Sequence, residues 1–160
     1  MAASVSRSVE IAAPAERVFA LVSDLPAMGS FSPESTGGRW SGGVRGPAVG
    51  AVFRGTNAQG ARRWSTRSQV VRCEPGRAFA FDVSSVRLPV ATWAYELEPV
   101  AGGCRVTETW TDRRGRLVSA AGRLMTGVQD RAAFTASSIE TTLVRVKATA
   151  EHADIHPHSQ

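Results

Sequence analysis

The chain has 160 residues, of which 42% are hydrophobic and 21% charged, and a formal net charge of +5. This length predicts a single domain, since domains commonly hold about 100–150 residues. No apolar run approaches the roughly 20 residues of a membrane-spanning helix, and the N-terminal stretch lacks the charged head and apolar core of a signal peptide. We therefore expect a cytoplasmic protein without membrane insertion.

The positions of the three histidines exclude several kinds of active site. His152, His156 and His158 all lie in the polar stretch 152–160, which we expect to be a disordered tail. The single domain, residues 1–151, then holds no histidine. Ser-His-Asp and Cys-His catalysis and histidine-ligated metal sites are therefore not expected in it.

The two cysteines form no recognisable redox or metal motif. Cys73 and Cys104 are far apart in sequence and form no CxxC motif. In a cytoplasmic protein they are expected to be reduced, half-buried strand residues, with a disulfide or a reactive thiol as the alternative. We predict no metal site and no cofactor.

The first third of the chain predicts a strand followed by two short helices. VSRSVEIAA (5–13) alternates apolar and polar residues, which is typical of a strand. Pro14 then opens the amphipathic stretch PAERVFALVSDL, which Pro26 ends. PAMGSFSPEST adds a loose helical turn before the chain leaves through Gly37 and Gly38.

From there to about residue 112 the sequence predicts strands separated by turns that contain Gly, Pro or Asn. Because these connections are short, neighbouring strands are expected to pair as an antiparallel meander. The six candidate strands are 38–45, 49–57, 62–73, 77–86, 90–99 and 103–112.

The remainder of the domain predicts one amphipathic helix of about 30 residues, since apolar residues step by three and four along it. No proline interrupts the pattern, and Gly127 is the position where the helix could bend. A coiled coil is the alternative, but the alanine-rich first half suits packing on a sheet. The apolar stripe comprises Leu117, Ala121, Leu124, Val128, Ala132, Ala136, Ile139, Leu143, Val146 and Ala150. A curved antiparallel sheet packed on this helix gives an α+β domain of two layers.

Three stretches, in this order and spacing, resemble a known superfamily. VEIAAPAERVFALVSDL resembles its opening strand and helix, GAVFRGTN with RRWSTRSQVVRCEPGRAFAFDV its central hairpin and next strand, and TWAYELEPVAGGCRVTETW its closing strand pair. The chain is similar over about residues 5–150 to the helix-grip fold of the START/Bet v 1-like (SRPBCC) superfamily, in particular its polyketide cyclase/dehydrase and lipid-transport branch. The resemblance implies about seven strands around a long C-terminal helix. It also implies a deep apolar cavity that holds a lipid, a hormone or a polyketide chain.

Strand alternation independently indicates which side chains face such a cavity. The inward set mixes aromatic residues with a few polar ones, as small-molecule sites do. Plain core packing is the alternative for each aromatic residue taken singly. The predicted ligand-binding residues are Phe53, Asn57, Trp64, Thr66, Ser68, Phe79, Phe81, Trp93, Tyr95 and Trp110, with Leu124 and Val128 from the helix.

Glu108 is the candidate catalytic residue. It shares the inward face with Val106 and Trp110, so desolvation should raise its pKa and suit it to act as a general acid. Two alternatives stay open: that Glu108 pairs with an arginine, or that a bulge turns it outward.

The resemblance also marks two departures from the aromatase/cyclases of this branch. Those enzymes carry an inward arginine and a tyrosine at the positions of Ser68 and Ser35. Our leading hypothesis is therefore a binder of a small hydrophobic or aromatic molecule, acting as a carrier, sensor or weak catalyst, in a monomer or a homodimer. The alternative is a polyketide aromatase/cyclase or dehydrase whose acid–base chemistry falls to Glu108, Tyr95 or Asp130.

The stretch RRWSTRS superficially suggests nucleic-acid binding, with Trp64 for stacking and arginines for phosphates. In a strand, however, Arg63 and Arg67 lie on the face opposite Trp64. The aromatic ring and the two arginines cannot then clamp one nucleic-acid strand together. We expect no nucleic-acid partner.

Overall fold

The computed structural model describes residues 3–152. The elements in chain order are β1 (Ser4–Ile11), α1 (Ala15–Val22), a 3-10 helix (Leu25–Ser30), β2 (Ser35–Trp40), β3 (Val52–Gln59), β4 (Arg62–Glu74), β5 (Ala78–Ser85), β6 (Leu88–Val100), β7 (Gly103–Asp112), α2 (Arg116–Thr126) and α3 (Arg131–His152). The predicted α+β helix-grip architecture is confirmed, with two short helices after the first strand.

All seven strands form one antiparallel sheet in the order β1-β7-β6-β5-β4-β3-β2. Strands β2 to β7 follow one another as the predicted meander. β1 instead crosses to the far edge and pairs with β7, where Val9 lies opposite Val106 and Ile11 opposite Cys104. The first and last strands of the sequence are thus neighbours in the sheet.

The first strand of the meander lies earlier in the chain than the predicted 38–45. Gly37 and Gly38, predicted as the exit of a loop, are part of β2. Gly38 has a φ of 147°, and a Cβ there would lie 2.7 Å from the Phe53 ring and 2.2 Å from the Arg54 carbonyl oxygen. A side chain has no room at this position, so the glycine permits β2 to lie close against β3.

The predicted single helix is in fact two helices, α2 and α3. Gly127 ends α2 in a left-handed conformation with φ 73°, and its N–H bonds to the Arg123 carbonyl at 3.0 Å. Asp130 then begins α3, because its Oδ1 accepts a hydrogen bond from the Ala133 N–H at 3.0 Å. A glycine stop and an aspartate N-cap are standard helix boundaries, and together they interrupt the apolar stripe.

The hydrophobic core lies where α1 and α3 cover the sheet. α3 packs against β1 and α1, and it buries Ile139, Leu143, Val146 and Ala150. α1 buries Val18, Phe19 and Val22 against β5 to β7. α2 contacts the sheet at β4, and Thr126 is its one buried residue.

Two smaller predictions concern the cysteines and the tail. Both cysteines are free; Cys104 is buried and Cys73 is partly buried. His152, predicted to start the tail, is the last residue of α3. The rest of that tail lies outside the described residues. Within residues 3–152, no helix is both long and apolar enough to cross a membrane.

Candidate functional site

A cavity of about 310 Å³ lies between the inner face of the sheet and the helices α2 and α3. Strands β3 to β7 supply one wall. The helices supply the other, with Val118, Ala121, Gly122 and Met125 from α2. This volume falls in the range of about 300–1,000 Å³ that is typical of small-molecule pockets.

The sheet wall of the cavity carries most of the residues that strand alternation predicted. Register brings them together in cross-strand pairs: Trp93 lies opposite Trp110, and Phe53 lies opposite Ser68. The predicted ligand-binding residues that line the cavity are Phe53, Asn57, Trp64, Thr66, Ser68, Phe81, Trp93, Tyr95 and Trp110. Glu108, Ser35 and Ser68 also face this space.

Phe79 belongs to the hydrophobic core and does not line the cavity. It lies on the predicted inner face, opposite Tyr95, but is fully buried and packs edge-on against Phe19 of α1, with ring centroids 6.2 Å apart. Strand alternation indicates the face of a residue but not whether a helix covers it. Here α1 covers the sheet at Phe79, and the cavity begins farther along the strand.

Leu124 and Val128 do not line the cavity either. Leu124 is 78% exposed, because the inward side of α2 is formed by Val118, Ala121 and Met125. Val128 is buried, but in the connection between α2 and α3. Because the helix is interrupted at Gly127, α2 and α3 do not continue one helical face. A single apolar stripe drawn through both helices therefore assigns the wrong side to Leu124 and Val128.

Glu108 is held inside the cavity by a hydrogen bond from Tyr95. The two residues are direct cross-strand partners, and the Tyr95 hydroxyl donates to Glu108 Oε1 at 2.7 Å. Glu108 is 2% exposed, and its Oε2 has no hydrogen-bond partner among the described residues. It neither pairs with an arginine nor turns outward, so both alternatives to an inward acid are wrong.

Burial determines the protonation of this pair. Desolvation raises the pKa of Glu108 to about 8, and the hydrogen bond from Tyr95 offsets only part of that effect. Burial and the neighbouring carboxyl group together raise the pKa of Tyr95 well above its usual range. At neutral pH both groups are therefore protonated, and Tyr95 acts as a donor rather than as a base.

A second carboxyl group of the cavity wall, the partly buried Glu34, was missed by sequence reasoning. It lies between the 3-10 helix and β2 and bonds to Arg131 at the start of α3, with Nη1 to Oε1 at 2.6 Å. Its Oε2 is buried without a hydrogen-bond partner among the described residues, and burial raises its pKa in spite of the nearby guanidinium. Both side chains line the cavity. No local pattern marks Glu34, because its partner lies 97 residues away.

The face of α3 toward the cavity carries hydroxyl groups that were also missed. Thr135, Ser138 and Thr142 line the cavity and are buried. The Thr142 hydroxyl donates to the Ser138 carbonyl at 2.9 Å, so its hydrogen bond is made within the helix. These residues are spaced by three and four positions, so they lie on one face of the helix. That spacing was the signal in the sequence that could have identified them.

Asp130, a candidate acid–base residue, lies outside the cavity. It is exposed, it caps α3 and it does not line the cavity. Within residues 3–152, no group of three or more His, Cys, Asp or Glu side chains is placed to hold a metal ion.

The family described as polyketide cyclase/dehydrase and lipid transport matches residues 2–151. The solution structure of a Polyketide_cyc-like protein from Corynebacterium glutamicum is 31% identical to this chain. Its TM-score is 0.68, and the match covers 100% of this chain and 98% of that one. No curated protein matches the sequence.

Two more distant structures share the fold. A START superfamily protein from Mycobacterium smegmatis is 14% identical, with a TM-score of 0.68 and coverage of 94% of this chain and 98% of that one. The di-domain ARO/CYC StfQ from the steffimycin biosynthetic pathway is 16% identical, with a TM-score of 0.74. That match covers 96% of this chain but 52% of the longer protein.

Proposed function

The chain belongs to the polyketide cyclase/dehydrase and lipid transport family, and from that premise we propose that it binds a small hydrophobic or aromatic molecule in the cavity between its sheet and the helices α2 and α3. The observation that carries the proposal is the cavity itself, about 310 Å³ and walled by five aromatic rings besides Tyr95. A large apolar pocket with a few convergent polar groups is what small-molecule sites share.

Two serines support binding over cyclisation as the leading role. Ser68 and Ser35 line the cavity, and by the resemblance of the sequences they stand where the aromatase/cyclases of this branch carry arginine and tyrosine. A hydroxymethyl group supplies neither the charge of the one nor the phenol of the other. We therefore place carrier or sensor activity first and weak catalysis second.

The test is binding of the neutral fluorescent probe N-phenyl-1-naphthylamine, followed by displacement with a library of neutral aromatic molecules and lipids. We expect saturable binding at one site per chain. Ala121→Trp should lower the affinity at least about tenfold, because Ala121 lies on the cavity side of α2 and the indole would occupy the space of the probe. Native mass spectrometry of the purified protein should show any retained ligand.

Ala120→Trp is the matched control. Ala120 is the neighbouring exposed residue on α2 and does not line the cavity, so the same substitution should leave the affinity within about twofold of wild type. Binding of the probe to Ala121→Trp with wild-type affinity would show that it does not enter the cavity. Failure of the whole library to bind would contradict the proposal.

A second candidate function, polyketide cyclisation or dehydration, is favoured by one observation. Glu108 is a buried carboxyl group in the cavity with a pKa of about 8, so it carries a proton at neutral pH that it could transfer to a ligand. On incubation with a poly-β-ketone substrate mimic, we expect wild type to change the product distribution and Glu108→Gln to reduce that change. Equal behaviour of the two proteins would exclude Glu108 as the acid.

A further inference from the structure

One oxygen of the Glu108 carboxyl group has a partner and the other has none. Oε1 accepts the Tyr95 hydroxyl at 2.7 Å. Oε2 is buried, lacks a hydrogen bond from any described residue, and belongs to a side chain that lines the cavity. Buried polar atoms in folded proteins are almost always paired, so an orphaned one on a side chain of the cavity wall indicates a place for a ligand atom.

The hydrogen bond from Tyr95 determines what the free oxygen can offer. Because the Tyr95 hydroxyl donates to Oε1, the proton of the neutral acid lies on Oε2. Oε2 is therefore a hydroxyl group without a partner, on a side chain that lines the cavity together with Trp93 and Trp110, which pair on the same two strands. The site presents a donor, not an acceptor.

We propose that the Glu108 Oε2 hydroxyl donates a hydrogen bond to an oxygen of the ligand, so that the cavity selects flat, neutral, apolar molecules that carry a carbonyl group over hydrocarbons of the same shape. This inference rests on the proposed function, since it concerns the same cavity. It adds a chemical class of ligand and a defined point of recognition.

The surroundings of Glu108 favour the neutral acid. Each arginine that lines the cavity already has a carboxylate partner: Arg131 bonds to Glu34 at 2.6 Å, and Arg114 bonds to Asp112 at 2.9 Å. No guanidinium of the cavity wall is thus left to neutralise a Glu108 anion.

The cations of the elements packed around Glu108 bond to other groups. On α1, Arg17 bonds to the Ala150 carbonyl at 3.2 Å; on α3, Arg145 bonds to the Phe31 carbonyl at 3.2 Å and Lys147 to Glu151 at 2.6 Å. On β1, Arg7 lies opposite Glu108 in register, but its guanidinium bonds to Glu140 of α3 at 3.2 Å. From α3 the hydroxyl groups Thr135, Ser138 and Thr142 line the cavity. α1 buries the apolar side chains Ala15, Val18, Phe19 and Val22. Desolvation is then unopposed except by Tyr95, and the pKa of Glu108 rises to about 8.

Two probes of matched shape test the inference: 2-acetylnaphthalene and 2-isopropenylnaphthalene, which differ in a C=O against a C=CH2 group. Quenching of tryptophan fluorescence measures both affinities, since Trp64, Trp93 and Trp110 line the cavity. Near pH 6 we expect the ketone to bind roughly five- to tenfold more tightly, because the hydrocarbon leaves the buried donor unpaired. Near pH 9.5 the acid is ionised, and the preference should fall to about one.

Two variants separate hydrogen bonding from shape. Glu108→Gln keeps a neutral N–H donor of the same length, so the preference for the ketone should persist at both pH values. Glu108→Leu removes the donor, so the preference should vanish at both, while the hydrocarbon still binds. Circular dichroism and hydrocarbon binding confirm that each variant is folded.

The outcomes distinguish this inference from the proposed function. If both probes bind wild type but the ketone preference persists near pH 9.5, persists in Glu108→Leu or is lost in Glu108→Gln, the inference is overturned and cavity binding stands. If neither probe binds wild type near pH 6 although N-phenyl-1-naphthylamine does, the inference is overturned and cavity binding stands. If the whole library also fails to bind, the proposed function fails, and the inference fails with it.

Discussion

At the scale of single residues, Glu108 shows what strand alternation can predict about a side chain and what it cannot. Its position between Val106 and Trp110 predicted an inward carboxyl group with a raised pKa, and the structure buries it with a pKa of about 8. The hydrogen bond from Tyr95 was not predicted, because it depends on the register of β6 against β7. A one-residue shift of that register would separate the two side chains.

Burying Glu108 should make the protein less stable as the pH rises. Its pKa is 4.5 when solvated and about 8 when folded, so this residue's contribution is fully present below about pH 4.5 and is lost as the pH rises to about 8. Glu108→Gln cannot ionise and should escape the loss. Between about pH 6 and pH 9 we expect the free energy of unfolding of the variant to gain roughly 2–3 kcal/mol relative to wild type, at about 1.4 kcal/mol per pKa unit. Urea denaturation at both pH values measures this gain.

Glu98→Gln is the matched control, because Glu98 lies on the neighbouring strand β6 and its side chain is 72% exposed. Its free energy of unfolding relative to wild type should stay constant to within about 0.5 kcal/mol across the same pH range. A wild type whose stability runs parallel to that of Glu108→Gln from pH 6 to pH 9 would show that Glu108 does not titrate there.

Glu34 is a residue whose position in the cavity wall is not predicted by local sequence patterns. It follows Pro33 in an irregular segment, where neither strand nor helix periodicity indicates the direction of a side chain. Its hydrogen-bond partner is Arg131, which lies at the start of α3. Only the folded chain brings these two charges to the same cavity wall.

At the scale of elements, the connection between α2 and α3 is the main difference from the sequence-based prediction. Hydrophobic periodicity carried one stripe across Gly127, although Gly127 and Asp130 are themselves a helix stop and a helix start. The break lets α2 turn a new side inward, with Val118, Ala121 and Met125 against the cavity. The wall of the cavity that α2 supplies therefore depends on these two boundary residues.

Gly127→Ala should destabilise the protein for two reasons. Gly127 has a φ of 73°, and an L-amino acid with a side chain in this conformation lowers the free energy of unfolding by about 1 kcal/mol. Its Cβ would also lie 2.1 Å from Nη1 of Arg62, so the arginine would have to move. We expect a loss of about 1–3 kcal/mol in the free energy of unfolding, measured by urea denaturation.

Gly60→Ala separates the two costs, since Gly60 has a φ of 60° but no atom within 4 Å of the added Cβ. It should lose about 1 kcal/mol, from the backbone alone. The double variant Arg62→Ala/Gly127→Ala, compared with Arg62→Ala, should show a loss close to that of Gly60→Ala. A Gly127→Ala protein as stable as wild type would mean that α2 does not end in this conformation.

At the scale of the whole molecule, the interior divides into a packed end and a hollow end. α1 and the second half of α3 fill the first, where Phe79 meets Phe19 and where Leu143, Val146 and Ala150 are buried. At the second, α2 and the first turns of α3 face the sheet with small or polar residues such as Ala121, Gly122 and Ser138. Small side chains opposite large aromatic rings leave the space that forms the cavity.

The arginines of the stretch RRWSTRS do not all share a face with Trp64. Trp64 lines the cavity, whereas Arg63 is exposed on the other side of the strand. In this stretch the sheet separates the Trp64 ring from Arg63 and Arg67, which lie on the opposite face. Arg62 lies on the same face as Trp64 but is exposed, and its guanidinium lies against Gly127 in the connection between α2 and α3.

The sequence by itself determined the order of the strands along the chain, the antiparallel meander and the inward face of each strand, because these follow from local periodicity and from turns a few residues long. It also placed Glu108 and most of the aromatic wall. The tertiary structure decided where the cavity ends, which side of α2 faces it, and which partners Glu108 and Glu34 meet. Those features depend on contacts between elements far apart in the chain, such as α1 over Phe79 and Arg131 against Glu34, and no local pattern encodes such contacts.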